Sequence, residues 1–264
     1  MDTANEVLGA IGHGQAPDAW LQPIGSTTLR LLDLSGPAAG LADYALAGRA
    51  MDALVTRPVE APDVLLLLQH PPVATIGRRG GRDNLRDTAW RDDAGQTTHI
   101  EVHEVARGGN VTMHAPGQLV GYPIAQLPRL QAPIGRGSIG DLPAYVRSLQ
   151  DAIIATCDQF GVQAQARPGF PGVWCGPRDK LASIGVGVRK GWSFHGFALN
   201  VDPALGLFGL MTPCGLDGVR LTSLGEQLRA RGAAVPELAL VAADLAVRLG
   251  DRLGRVSPAA PVDR

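Results

Sequence analysis

Three cysteines and two lysines are the side chains in this 264-residue chain whose types and spacing suggest chemistry. Cys214 lies in TPCG, where rigid Pro213 before it and permissive Gly215 after it suit a thiol presented from a turn at a fixed angle. Only the thiolate is nucleophilic, and free cysteine, with a pKa near ~8.5, is a few per cent ionised at neutral pH. An ammonium nearby that brings this toward ~7 makes about half of it reactive. Lysine is scarce: of 24 basic residues only Lys180 and Lys190 are lysines, and the other 22 are arginines. Against an arginine background, a lysine kept in place hints at a task a guanidinium cannot do. Lys180 opens KLASIG at the start of a candidate strand, whereas Lys190, in the RKG turn, reads as a solvated charge. Cys157 and Cys175 read as packing residues, the ordinary role of any single cysteine.

The stretch RGGNVTMHAPGQLVGYPI (Arg107 to Ile124) is the other dense signal. Arg107 leads a double glycine, which lets backbone approach a ligand closely and aim amides at it. Taken alone, the same stretch also reads as a Gly/Pro hairpin connection. Further on, Ala182, Ser183, Gly185 and Gly187 are small enough to leave space above a sheet. His114 and His195 read as structural histidines, since no third residue marks either as a base. GRGSIG (Gly135 to Gly140) fits G-x-G-x-x-G by letter but follows a Pro-containing loop, not a strand, so a dinucleotide site is not expected. No phosphate-loop or nucleophile-elbow motif occurs, and the cysteine spacing matches no zinc pattern.

Composition narrows the function classes. With 24 basic and 25 acidic residues the formal net charge is −1, so no bulk basic field for nucleic acid exists. The longest aliphatic run, VLLLL at Val64 to Leu68, is too short to span a bilayer, so no membrane partner is expected. The first basic residue is Arg30, which fits neither a secretory signal nor a transit peptide; a reducing cytoplasm is the expectation.

These residues need elements to position them. Hydrophobic residues make up 45%, enough for a sizeable core, while Gly 34 and Pro 20 together form roughly a fifth of the chain and point to many ordered turns. Residues 1–27 show no period and read as a loose extension, 28–253 as one catalytic domain, and 254–264 as a frayed tail. Strands are expected at Thr28 to Leu34, Val64 to Gln69, His99 to Ala106, Leu119 to Ile124, Gly172 to Cys175, Lys180 to Arg189 and Ser193 to Val201. Helices are expected from Leu41 to Val55, from Leu142 (N-cap Asp141) to Phe160, and from about Pro236. Long non-alternating strands with few helices imply a mixed α/β or α+β domain.

RGGNVTMHAPGQLVGYPI, the GVW of Gly172 to Trp174, KLASIG, FHGFALNV and TPCG, in this order, resemble the lipoyl(octanoyl) transferases, as does HPPVATIGRRG (His70 to Gly80). The resemblance runs from about Leu29 to Leu224. It implies the biotin/lipoate-protein-ligase-like fold, α+β with helices packed on a mixed sheet. It also implies transfer of octanoate from acyl carrier protein to a lysine of lipoyl domains, those of 2-oxoacid dehydrogenase complexes and the glycine cleavage H protein. Carried over by position, Cys214 is the acyl-thioester nucleophile and Lys180 lowers its pKa. Arg107, Gly108, Gly109, Asn110, Val111, Thr112, Met113 and His114 line the octanoyl site with Ser183, Ile184, Gly185, Gly196, Phe197 and Ala198. A thioester substrate arrives activated, so neither metal nor cofactor is implied. Departures from the family pattern are Ala115 in place of Gly, Met113 in place of an aromatic, Ala74 in place of Tyr and Phe197 in place of Leu. If position 115 requires positive φ, its alanine costs on the order of 1–2 kcal/mol.

Three other activities fit parts of this pattern: an ATP-dependent lipoate-protein ligase of the same superfold, which would lack the PCG cysteine; a non-catalytic acyl-binding module; and a thioesterase. Arg78, Arg79, Arg82 and Arg86 form the densest basic cluster and suit an acidic carrier protein.

Overall fold

A computed structural model describes residues 22–23, 30–34, 40–58, 60–91, 94–127, 142–212 and 218–253, the first two stretches as backbone only. All five residues of the Val64–Leu68 run are buried, so this strand must be covered on both faces. Leu65 and Leu67 join Leu119, Leu149, Ile153 and Leu245 in one apolar cluster. Val64, Leu66 and Leu68 join Met51, Leu54 and Val120 in another.

In chain order the strands are β1 (Gln22–Pro23), β2 (Arg30–Leu34), β3 (Val64–Leu68), β4 (Val73–Ile76), β5 (Ala89–Arg91), β6 (Thr97–His99), β7 (Glu101–Glu104) and β8 (Val111–His114). They continue with β9 (Gln118–Ile124), β10 (Gln165–Arg167), β11 (Phe170–Trp174), β12 (Asp179–Arg189), β13 (Trp192–Asn200) and β14 (Arg220–Leu221). The helices are α1 (Tyr44–Leu54), α2 (Leu142–Gln159), α3 (Leu224–Arg229) and α4 (Leu238–Leu253). The large sheet has the order β1-β2-β3-β9-β13-β12-β11-β10, with β14 pairing β12. β2 and β3 run parallel, joined across α1, and β14 runs parallel to β12; the other pairs are antiparallel. α2 and α4 pack on each other over one face, and α1 covers the other. A second sheet, β7-β4-β8, carries the arginine–glycine segment on its rim.

Local sequence explains the element ends. The Asp43 side chain caps α1 by accepting from Leu46 N at 2.8 Å. Lys190 (φ 51°) and Gly191 (φ 81°) form a two-residue turn between β12 and β13 of the kind whose twist matches a hairpin. Several expectations need adjusting. The chain re-enters a strand, β4, directly after HPP, and Ile100 splits the alternating His99 to Ala106 stretch between β6 and β7. The final helix starts at Leu238 rather than Pro236, and α3, capped by Ser223, and β14 were not anticipated. Gln22–Pro23, within the stretch read as an extension, pairs with β2. Asp141, GRGSIG and the 254–264 tail lie outside the described residues. Among the described residues, no helix is long and apolar enough to cross a membrane.

Candidate active site

Arg107 shapes the site. Its guanidinium is buried and donates to Thr75 O (2.8 Å), Thr75 Oγ1 (2.7 Å) and the carbonyls of Gly108 (3.1 Å) and Asn110 (2.8 Å). The arginine thus folds its own Gly-Gly loop around itself and ties it to β4. Gly108 N donates to Val186 O at 2.8 Å, laying the loop over β12. A side chain at Gly185 would put its Cβ 2.8 Å from Gly108 O, which explains a glycine inside that strand.

Two cavities border this loop. The larger, a cleft of about 460 Å³, is lined by Arg107, Gly108, Gly109, Asn110, Val111, Thr112, Ser183, Ile184, Gly185 and Lys180 among the residues expected from sequence. Arg79, Leu142, Val146, Gly169, Phe170, Pro171 and Val186 complete its walls. The volume falls within the range of small-molecule sites. The smaller cavity, a chamber of about 20 Å³, has room for about one water. It is lined by Arg107, Thr112, His114, Ser183, Gly185, Gly196, Phe197 and Ala198, and also by Tyr44, Tyr122 and His195.

Lys180 is 3% exposed, so its strand-end position does not leave it in solvent. Its carbonyl accepts from Thr222 N at 3.0 Å, and Thr222 O accepts from Asn200 Nδ2 at 2.8 Å. Asn200 Oδ1 accepts from Gln118 Nε2 at 2.9 Å, and Gln118 Oε1 accepts from His114 Nδ1 at 2.8 Å. A continuous buried hydrogen-bond chain therefore links chamber and lysine strand.

The imidazoles in and behind the chamber wall are held neutral. Burial pulls His70 down to about 4 and His195 down to about 3, and the Arg107 cation adds to the effect on His195. Burial, with the neighbouring His70, holds His114 well below the usual range. Burial also raises Tyr44 to about 12 and Tyr122 well above its normal value. Tyr122 OH and His70 Nε2 lie 2.8 Å apart, and His70 Nδ1 meets Ala42 O at 2.6 Å.

Tyr44, Tyr122 and His195 were not expected as lining residues. Tyr44 begins α1 with apolar helical spacing and reads as core, and Leu142 and Val146 likewise belong to the stripe of α2. His195 is left-handed (φ 55°), which strand patterning cannot reveal. Met113 is fully buried in the cluster with Ala74, Ile76 and Phe208 rather than among the cavity-lining residues. Cys214 lies outside the described residues. Of the other two thiols, burial pushes Cys157 far up and Cys175 up to about 11. Among the described residues no cluster of His, Cys, Asp and Glu could hold a metal ion.

The lipoyl protein ligase A/B catalytic domain model matches residues 43–242, about three quarters of the chain. An octanoyltransferase of Geobacter sp. (strain M21) is 44% identical over 190 residues, covering 72% of this chain and 84% of that protein. The chain belongs to the lipoyl(octanoyl) transferase family. An octanoyltransferase of Desulfovibrio desulfuricans is 43% identical over 169 residues, and the match spans 62% of this chain and 65% of that protein. One of Acidobacterium capsulatum is 46% identical over 167 residues, spanning 61% and 66%. The fold is that of solved lipoate-protein ligases. A ligase A bound with ATP superposes with TM-score 0.54 at 14% identity, covering 85% and 84% of the two chains. A bipartite ligase of Thermoplasma acidophilum gives 0.52 at 15%, covering 81% and 82%.

Within this family, the departures noted in the sequence find their places. Ala74 and Met113 are cross-strand partners between β4 and β8, so both changes fall on one spot of the core. Ala115 is not left-handed; Gly117, two residues on, takes that conformation (φ 85°), so the conditional cost at Ala115 does not arise. Gly121 leaves room for the ring of Phe197, which would run into any side chain there.

Proposed function

We propose that this chain moves an octanoyl or lipoyl group from an acyl carrier protein thioester to a lysine of lipoyl domains, through a thioester on Cys214. Residues 28–253 form the catalytic unit, acting in the cytoplasm without metal or cofactor. The observation that carries this reading is the buried Lys180 on the wall of the cleft formed by the Arg107–Thr112 loop and Ser183–Gly185.

In the first half-reaction the Cys214 thiolate attacks the thioester carbonyl. A carbon–sulfur bond forms to Sγ, the bond to the carrier's sulfur breaks, and the departing thiolate takes the proton that Lys180 holds. Thioester exchange is nearly isoenergetic and needs no ATP. In the second half-reaction the neutral amine of the acceptor lysine attacks the acyl-enzyme. The amide bond forms, the bond to Sγ breaks, and the amine's surplus proton passes to Lys180. Backbone amides of the Gly-rich turns, other than that of Gly108, which is committed to Val186 O, are suited to the developing oxyanion. Leu221 of β14, seven residues after Cys214, is the register partner of Lys180, which supports the pairing of Cys214 with the lysine.

Intact-protein mass after incubation with octanoyl carrier protein tests the reading. Wild type, Cys157→Ala and Cys175→Ala gain one octanoyl group without ATP, and Cys214→Ala gains none. Loading that persists in Cys214→Ala overturns the mechanism, and loading that requires ATP makes the chain a ligase.

A further inference from the structure

Lys180 is held by more than its strand. It and Trp174 are register partners across β11 and β12, next to an irregularity between Val173 and Trp174. Cross-strand partners raise their side chains on the same face of a sheet, and a bulge re-aims the side chain beside it. Lys180 Nζ lies 5.6 Å from the centroid of the Trp174 ring, within reach of a cation–π interaction. Both are deeply buried, Trp174 at 0% and Lys180 at 3% exposure, and desolvation is the setting in which this attraction is strongest.

The ring is itself fixed. Trp174 Nε1 donates to Phe170 O at 3.4 Å, and the Phe170 ring stands edge-on to it at 6.5 Å. Arg167 Cζ lies 4.2 Å from the Phe170 centroid and 5.2 Å from that of Trp174, so a second cation shares the indole. Gly172 opens the path for the lysine arm. A Cβ there would sit 2.7 Å from Lys180 Cε and 2.5 Å from Ala182 O, and its φ of 133° suits only glycine. Its carbonyl accepts from buried Gln150 Nε2 at 3.0 Å, which pins the notch to α2.

We propose that Trp174 is a positioning residue of the transfer reaction, its indole face fixing the Lys180 ammonium while the notch at Gly172 lets the side chain through. The inference rests on Lys180 acting with Cys214 as proposed above. Trp174 is not among the residues lining the cleft, and it acts through the lysine.

Fluorinated tryptophans placed at position 174 alone weaken the ring's negative face step by step with little change in shape. The rate of Cys214 thioester formation and the overall kcat fall stepwise across the series, by about 2- to 30-fold in total, while KM for the carrier holds. The same series at Trp192, whose ring carries Arg57 in the cluster under α1, leaves both rates unchanged. A flat series at position 174, or an equal fall at position 192, overturns the proposal. Lys180→Ala separates the two levels of the argument. An inactive Lys180→Ala with a flat fluorine series removes only the role of Trp174, whereas a fully active one removes the Cys214–Lys180 pairing itself.

Discussion

The chamber around His114 and the cleft beside Lys180 share Arg107, Thr112, Ser183 and Gly185, yet their remaining walls differ in kind. The chamber adds Tyr44, Tyr122 and His195, groups that burial keeps neutral across ordinary pH. The cleft adds the cations Lys180 and Arg79 together with the apolar Leu142, Val146 and Phe170. Histidine, the usual suspect for proton transfer near neutrality, thus sits where burial holds it neutral, and a lysine lines the cleft proposed to take the acyl group. The lesson is that a catalytic assignment follows surroundings rather than residue type.

The sharpest way to break this contrast is Lys180→Arg. A guanidinium keeps a positive charge in the cleft but cannot release a proton at working pH. The variant is expected to load octanoyl slowly and then stall as acyl-enzyme when a lipoyl domain is added. The second half-reaction should slow by about 10²- to 10⁴-fold, the usual reach of general acid–base catalysis. Stopped-flow or quenched mass measurements follow each half separately; rapid transfer by the variant would make Lys180 a fixed charge only.

The chamber can be broken by acid. His70 and His195 titrate near 4 and near 3 in the folded chain, against about 6.5 when unfolded. Below about pH 6.5 the unfolded chain therefore binds protons that the native one refuses, and stability falls as pH falls. Each of the two approaches a cost of about 1.4 kcal/mol per pH unit once the unfolded imidazole is fully protonated, roughly 3 kcal/mol together between pH 6.5 and 5, with His114 acting in the same direction. Denaturant midpoints across that window measure the loss. A flat profile would mean that the imidazoles are hydrated.

Gly185→Ala strikes the wall that the two cavities share. Its Cβ would meet Gly108 O at 2.8 Å and Arg107 Cδ at 3.1 Å. Overpacking of this kind costs about 1–3 kcal/mol, and the displaced loop should raise KM for the acyl donor more than it lowers Tm. An unchanged KM would detach the loop from acyl binding. The smallest effect is expected at the rim, where Arg78 and Arg79 are exposed. Reversing both charges should slow carrier use by about three- to tenfold at low ionic strength, with the difference fading in high salt. A Michaelis constant indifferent to salt would argue against docking there.

Much of this was legible in the sequence, and the exceptions share a cause. The apolar stripe of α2, the Lys190–Gly191 turn and the doubly buried VLLLL strand depend on neighbours in the chain, and local pattern exposes them. β14 has two residues and exists because β12 offers an open edge at Lys180, so no local signal announces it. The Arg107 loop and Ser183–Gly185 carried readable compositional marks. Tyr44, Tyr122 and His195 reach one chamber from three distant elements, and each alone has an ordinary place in a helix or strand. Met113 misled because alternation along β8 does not tell which face meets a ligand and which meets Phe208. Trp174 was visible only as part of a motif; its proximity to the lysine is a fact of register.

The two lysines stand at opposite ends of β12 and its turn, Lys180 buried and Lys190 exposed, roughly 30 Å apart along an extended strand. A chain proposed to pass activated acyl groups to amines therefore carries only two lysine side chains of its own that could be acylated by mistake. The same scarcity leaves Lys190, in the hairpin turn, as the one exposed lysine side chain, so a label restricted to lysine side chains would enter at that turn.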